Sequence, residues 1–137
     1  MAVDGALAGR TFPAPASYAV SDERLAEFAA ATGSRYDGPG TPAPTTFPVV
    51  VAFRAMNALL ADPTVGIALH RVVHGEQRFR YSRPVVAGDV LTATLTVDSV
   101  RSMGGADIVG TSTEIVDAAG AHVVTATMTL VHRGEDA

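Results

Sequence analysis

The segment Phe47–Leu60 reads FPVVVAFRAMNALL, and no other stretch limits the fold as sharply. Only Arg54 and Asn57 interrupt it with strongly polar side chains. A run this apolar has to be covered by the rest of the chain. It also falls well short of the roughly 20 apolar residues that span a bilayer, so no membrane partner is expected. The β-branched run Val49–Val51 leans towards a strand. The length of the segment and the Ala, Met and Leu of its second half favour a buried helix. Pro48 suits a first helical position, Thr46 offers an N-cap, and Asp62-Pro63 ends the helix.

The residues that follow supply the cover. Over Arg71–Arg83, Val73, Gly75, Gln77, Phe79 and Tyr81 fall on one face of an extended chain, with His70, Val72, His74, Glu76, Arg78 and Arg80 on the other. Pro84–Asp89 reads as a turn around Gly88-Asp89. Leu91, Ala93, Leu95 and Val97 then alternate with Thr92, Thr94, Thr96 and Asp98. Met103–Gly105 is expected as a loop, Asp107–Val116 as a strand, Asp117–Gly120 as a hairpin turn and His122–His132 as a closing strand. Ahead of the apolar segment, Ser21–Thr32 reads as a short amphipathic helix. Ser21 caps it, Asp22 and Glu23 suit its positive end, and Gly33 stops it. One early strand is expected around Thr11–Tyr18. Residues 34–46, SRYDGPGTPAPTT, carry too much Gly and Pro for either element and form an ordered loop or flap. The expected fold is α+β, an antiparallel sheet wrapped around a long central helix. It occupies a single domain over residues 1–137, with a core from 5 to 133 and short flexible termini.

Several classes of function fall away on composition. With 137 residues the chain can build one sizeable core. It has no cysteine, hence no disulfide framework and no thiol nucleophile. A net charge of −4, with no Trp, gives no footprint for nucleic acid. The first residues, MAVDGALAGR, lack a basic segment followed by an apolar one, so a secretory signal is not expected and a cytoplasmic location is. His122, His132, Asp107 and Asp117 show no metal-ligand spacing. Gly38-Pro39-Gly40 is too restricted to cradle a phosphate, and no Gly-x-Ser-x-Gly elbow occurs. Neither a metal nor another cofactor is expected.

Two stretches carry a family resemblance. Thr46-Phe47-Pro48 opens the apolar helix, and His74-Gly75-Glu76-Gln77 leads through Arg83-Pro84-Val85-Val86-Ala87-Gly88-Asp89 into a Thr-rich strand. With the helix–loop–helix order, these resemble the MaoC-like hot-dog (R)-specific enoyl-thioester hydratases and dehydratases over residues 5–133. The resemblance is strongest to the non-catalytic type of subunit in mycobacterial (3R)-hydroxyacyl dehydratase pairs. It implies a hot-dog fold and a hydro-lyase reaction in fatty acid or polyketide metabolism. The family's catalytic loop follows a Phe-Ala-x-x-Thr-Gly helix end and runs Gly, Asp, any residue, Asn, Pro, any residue, His. One side chain activates water and the other handles the proton beside the thioester carbonyl. This chain keeps the approach, Phe28-Ala29-Ala30-Ala31-Thr32-Gly33, and then departs. Ser34 stands at the Asp position, Tyr36 at the Asn, Asp37 at the Pro and Pro39 at the His. A Ser/Pro pair cannot do that acid–base work, so no catalytic residue is assigned.

Binding features remain. N–H groups around Thr45, Thr46 and Phe47 at a helix start could meet a thioester oxygen, or Thr46 could simply cap the helix. His74 could touch substrate or a partner subunit, or be a solvated strand residue. Gln77 on the apolar face needs hydrogen-bond partners in either role. Arg35 and Arg54 could meet a phosphopantetheine phosphate or a carboxylate but read rather as ion-paired surface or interface residues, and Arg78, Arg80 and Arg83 as a solvated basic edge that an acidic carrier protein could dock on. The leading expectation is an acyl-CoA- or acyl-ACP-binding subunit, paired as a heterodimer or heterotetramer with a catalytic MaoC-like subunit that supplies Asp and His. A homodimeric hot-dog thioesterase or hydratase using other residues, and a non-catalytic acyl-thioester binding protein, are the alternatives. Thioesterases of this fold usually carry a carboxylate on or near the central helix, and Phe47–Leu60 has none.

Overall fold

A computed structural model describes residues 3–134. Of the expected flexible termini, 1–4 and 134–137, residues 1–2 and 135–137 lie outside the described residues. A 3₁₀ turn at Gly5–Leu7 leads into β1 (Thr11–Pro13) and β2 (Tyr18–Ala19). Helices α1 (Asp22–Thr32) and α2 (Pro48–Ala61) follow. A second 3₁₀ turn, Leu69–Arg71, opens β3 (Val72–Tyr81), and β4 (Val90–Met103), β5 (Ala106–Val116) and β6 (His122–Arg133) complete the chain. The antiparallel strands run in the order β1-β4-β5-β6-β3, with β2 also paired to β4. The early strand is thus two short pieces on β4, because Pro13 and Pro15 interrupt the run. No helix of the described residues is long and apolar enough to cross a membrane.

Helix α2 lies against the inner face of the sheet, over β4, β5 and β6. Val51, Ala52, Ala55, Met56 and Leu59 make its buried stripe, at the spacing of one helical face. Phe53, Arg54 and Asn57 face away, and Phe53 is 41% exposed, so the helix is covered on one side only. From the sheet, Leu91, Ala93, Leu95 and Val97 of β4 meet it together with Val109, Ile115, Val124, Ala126 and Met128. Phe47 is buried between Tyr18 and Phe28, ring centroids 6.1 and 5.3 Å away, both edge-on.

Strand β3 departs from simple alternation. Its pairing with β6 slips between His74 and Glu76: His74 opposes Leu130, Glu76 opposes Thr129 and Gln77 opposes Met128. Gly75 is the extra residue of a bulge. A side chain there would place its Cβ 3.3 Å from the Thr129 carbonyl oxygen. The expected division of faces is therefore corrected: Val72 and His74 join Gln77, Phe79 and Tyr81 on the inner side. Row by row across β4-β5-β6-β3, the inner face reads Leu95-Thr113-Ala126-Phe79, Val97-Thr111-Met128-Gln77, Val100-Val109-Leu130-His74 and Ser102-Asp107-His132-Val72.

Candidate functional site

The loop between α1 and α2 is held by local bonds. Ser21 caps α1 by accepting the Arg24 N–H on its Oγ, and Gly33 ends the helix in the left-handed region at φ 69°. Thr32 Oγ1 donates to the Phe28 carbonyl, which leaves Ser34 Oγ to donate to Thr32 Oγ1 at 2.7 Å. Ser34 is thus a helix-end hydroxyl, exposed, with no titratable partner among these contacts. Arg35 pairs with Asp37 at 3.0 Å in solvent. Tyr36 donates to Asp22 at 2.5 Å, and that bond holds its hydroxyl up to about 12. Pro39 is exposed between Gly38 and Gly40, both at positive φ. No carboxylate–imidazole pair stands on this loop, which carries no histidine.

Its far end is tied to the sheet. Ala43 N–H donates to the Val85 carbonyl at 2.7 Å, and the Tyr81 hydroxyl donates to the Thr45 carbonyl. The expected N-cap at Thr46 is not formed. Phe47 takes the cap position already in helical φ/ψ, with no side-chain cap bond. The reason is a tight lead-in turn: Phe47 N–H donates to Pro44, Val49 to Thr46 and Val50 to Phe47. Those bonds consume most of the helix's leading N–H groups, and Pro48 has none. The N–H groups of Thr45 and Thr46 are the ones these turns leave over. Thr45 lines two adjoining recesses. One, of about 550 Å³, runs along Ser34–Asp37 and Pro42–Thr45; the other, of about 300 Å³, lies between Pro42, Tyr81 and Val85.

His74 and Gln77 lie at a second place, on the sheet's open edge. His74 borders an apolar cavity of about 230 Å³ with Phe53, Met56, Leu60, Leu69 and Leu130, its ring 6.1 Å from that of Phe53. Gln77 Nε2 donates to the carbonyls of Arg78 and Thr127 at 3.2 Å, while its buried Oε1 has no partner among the described residues. The sequence-chosen residues thus divide into a loop group (Ser34, Pro39, Thr45, Thr46) and an edge group (His74, Gln77). Phe47 belongs to the core.

Arg54 and Arg83 depart from expectation. Arg54 stacks its guanidinium 5.0 Å above the Tyr18 ring. Arg83 leaves the basic edge altogether. It makes two bonds to Asp89, at 2.9 and 3.1 Å, and reaches Asp117 at 3.3 Å, closing the corner between β3 and β4. A third polar group was missed from sequence. Buried His132 and Asp107 face each other across β5–β6, and Asp107 accepts Ser102 Oγ–H at 2.8 Å and the Val3 N–H at 3.1 Å. Only cross-strand register brings these together.

Comparison with known proteins fits this geometry. A UPF0336 protein of Clavibacter michiganensis subsp. michiganensis is 49% identical over a 149-residue alignment that covers 100% of both chains. A UPF0336 protein of Streptomyces coelicolor is 41% identical, covering 99% of each. Among solved structures, one chain of the C-terminally truncated HadBC (3R-hydroxyacyl-ACP dehydratase) complex of Mycobacterium tuberculosis matches with a TM-score of 0.82 at 30% identity. That match covers 96% of this chain and 99% of that one. A MaoC-like dehydratase matches at 0.74 and 28% identity, over 96% of this chain and 43% of its own. Residues 6–126 match the family described as FAS1-like, dehydratase domain region. The chain belongs to the UPF0336 proteins and to the FAS1-like dehydratase-region family, and it has the hot-dog fold of the MaoC-like dehydratases.

Proposed function

We propose that this chain is the acyl-thioester-binding, non-catalytic subunit of a heteromeric (R)-specific enoyl-thioester hydratase, with Asp and His supplied by a second hot-dog subunit. One observation carries the reading. The chain follows a dehydratase-complex chain over nearly its whole length, yet by the sequence resemblance Ser34 and Pro39 stand where the family's Asp and His would, and the loop carries no histidine to replace the pair. The free edge of β3 supports it. Among the described residues this ten-residue strand has no neighbour on one side, and Phe53, Leu69 and Val73 are exposed beside it. A partner sheet added there would cover the apolar cavity at His74. In this reading the Thr45 and Thr46 N–H groups face the thioester oxygen, and His74 and Gln77 lie on the subunit seam.

The test is co-expression with a catalytic MaoC-like subunit from the same source. The pair should co-purify and hydrate crotonyl-CoA, while this chain alone should not. Hydration by the chain alone at the pair's rate would overturn the proposal. The thioesterase alternative gains nothing from α2, which carries no carboxylate.

A further inference from the structure

Four side chains on or just beyond the strands form one hydrogen-bonded line at the end of β3, apart from the His74 cavity. Ser82 Oγ lies 2.5 Å from His122 Nδ1. His122 Nε2 lies 2.7 Å from Thr125 Oγ1 and 3.3 Å from Glu114 Oε2. Thr125 Oγ1 lies 3.0 Å from each Glu114 carboxylate oxygen. Register explains the meeting. Glu114 opposes Thr125 across β5–β6, His122 begins β6, and Ser82 leaves β3 with its N–H on the Val123 carbonyl at 2.8 Å.

The direction of each hydrogen follows from what each group can do. A carboxylate only accepts, so the Thr125 hydroxyl hydrogen goes to Glu114. The Thr125 oxygen then receives a hydrogen from His122 Nε2. An imidazole protonated at Nε2 has a bare Nδ1, and the Ser82 hydroxyl donates to it. That is the polarity of a nucleophile backed by a base that a third group orients. Glu114 is more than half exposed, so its charge is screened. What it fixes is the tautomer. Ser82 also lines the 300 Å³ recess, whose walls of Pro42, Ala43, Tyr81, Pro84 and Val85 are mostly apolar.

We propose that Ser82 is an acyl-accepting nucleophile for a short-chain acyl ester or thioester held in that recess. Ser82 Oγ attacks the carbonyl carbon as its proton passes to His122 Nδ1. The carbonyl re-forms as the bond to the leaving oxygen or sulfur breaks, and the leaving group takes the proton from His122. The acyl group stays on Ser82 as an ester until water attacks it as His122 Nδ1 takes the water's proton. The bond to Ser82 Oγ then breaks, Ser82 takes that proton back from His122, and the acid leaves. The N–H groups of Ser82 and Arg83 both donate to the Val123 carbonyl, at 2.8 and 3.4 Å, so neither amide polarises the substrate carbonyl. One missing oxyanion donor lowers turnover by about 10²–10³. Acylation of the serine is therefore the readout, ahead of turnover. This site shares the Thr45-lined recess with the subunit role above and goes beyond it by using Ser82 and His122, which that role does not.

The full chain is incubated with a fluorophosphonate probe and read by intact-mass and peptide analysis. The expected result is one adduct per chain, on Ser82, absent in Ser82→Ala and formed at least about tenfold more slowly in His122→Ala. A second measurement does not depend on how well His122→Ala folds. The chain has no cysteine, so Ser82→Cys carries a single thiol. Beside the imidazole, iodoacetamide should alkylate it at neutral pH about tenfold faster than the thiol of Ser17→Cys, at an exposed position. Adducts spread over several hydroxyls, labelling of Ser82→Ala as fast as the parent, or equal alkylation of the two thiols would overturn the proposal. These assays use the chain alone and hydration uses the assembled pair, so either result can fail without the other.

Discussion

Ala68 donates its backbone N–H to Nε2 of His132 at 3.0 Å, and that bond fixes the protonation state of a buried imidazole. His132 is 2% exposed. With Nε2 accepting, the neutral ring carries its hydrogen on Nδ1, which has no partner among the described residues. Burial lowers the affinity of this ring for a second proton. Asp107 opposes that effect, and Arg71 and His70 add to it.

Stability should therefore depend on pH through His132. Its folded pKa lies below the ordinary 6.5, so below that value the unfolded chain binds a proton that the folded chain refuses. The contribution is complete above about pH 6.5 and is lost progressively as pH falls below it. Thermal unfolding between pH 5 and pH 8 should show a falling melting temperature on the acid side. His132→Gln keeps an acceptor for Ala68 and does not titrate, so its acid slope should be shallower. An unchanged slope would remove His132 as the cause.

The corner from β3 to β4 makes a different prediction. Arg83 meets Asp89 with two hydrogen bonds, and Asp89 Oδ2 also accepts the Val86 N–H at 3.0 Å. Asp89→Ala removes the carboxylate and leaves that N–H and a part-buried guanidinium without it. After solvent screening the expected cost is about 1–2 kcal/mol. Asp89→Asn can still serve the Val86 N–H and should cost less. Urea denaturation of the two variants checks the order.

Gly75 is testable by deletion. It is the one extra residue in the bulge, so removing it leaves His74 inward, Glu76 outward and Gln77 inward. Removing Arg78 from the regular part of the strand instead reverses every side chain on one side of the cut. Either Phe79 and Tyr81 or His74 and Gln77 would then leave the inner face. The deletion of Gly75 should give a folded chain with a melting temperature near the parent's, and the deletion of Arg78 a chain that unfolds far lower or is not recovered. Equal behaviour would contradict the register.

The same bulge marks where sequence reading stops. Helix α2 and the run from Leu91 to Val97 were readable because their apolar periods are unbroken over many residues. In β3 the period slips by one at Gly75, and His74 went to the wrong face. An isolated glycine inside a strand pattern was the available signal. Thr46 failed as a cap for a related reason: Pro44 and the turn it begins satisfy the helix's leading N–H groups first. At the candidate site, the departure at Ser34 and Pro39 was visible because that motif is local. The Asp107–His132 contact and the Ser82–His122–Thr125–Glu114 line depend on pairing between strands, which no local spacing encodes.

Tyr81 bears most directly on the proposed function. Its hydroxyl donates to the Thr45 carbonyl and so pins the segment whose spare N–H groups face the thioester in the subunit reading. Burial pushes this hydroxyl up to about 12, so it stays a donor throughout the range of a hydration assay. Tyr81→Phe keeps the ring and deletes only the bond. One neutral hydrogen bond is worth about 0.5–1.5 kcal/mol, which corresponds to a rise in the pair's KM of about two- to tenfold. Because the donor does not titrate, the ratio of variant to parent KM should be flat between about pH 6 and pH 9. Co-purification with the catalytic subunit should be unaffected, which separates a binding defect from a lost interface. A Tyr81→Phe pair with parental KM would mean that the Thr45 segment does not position substrate.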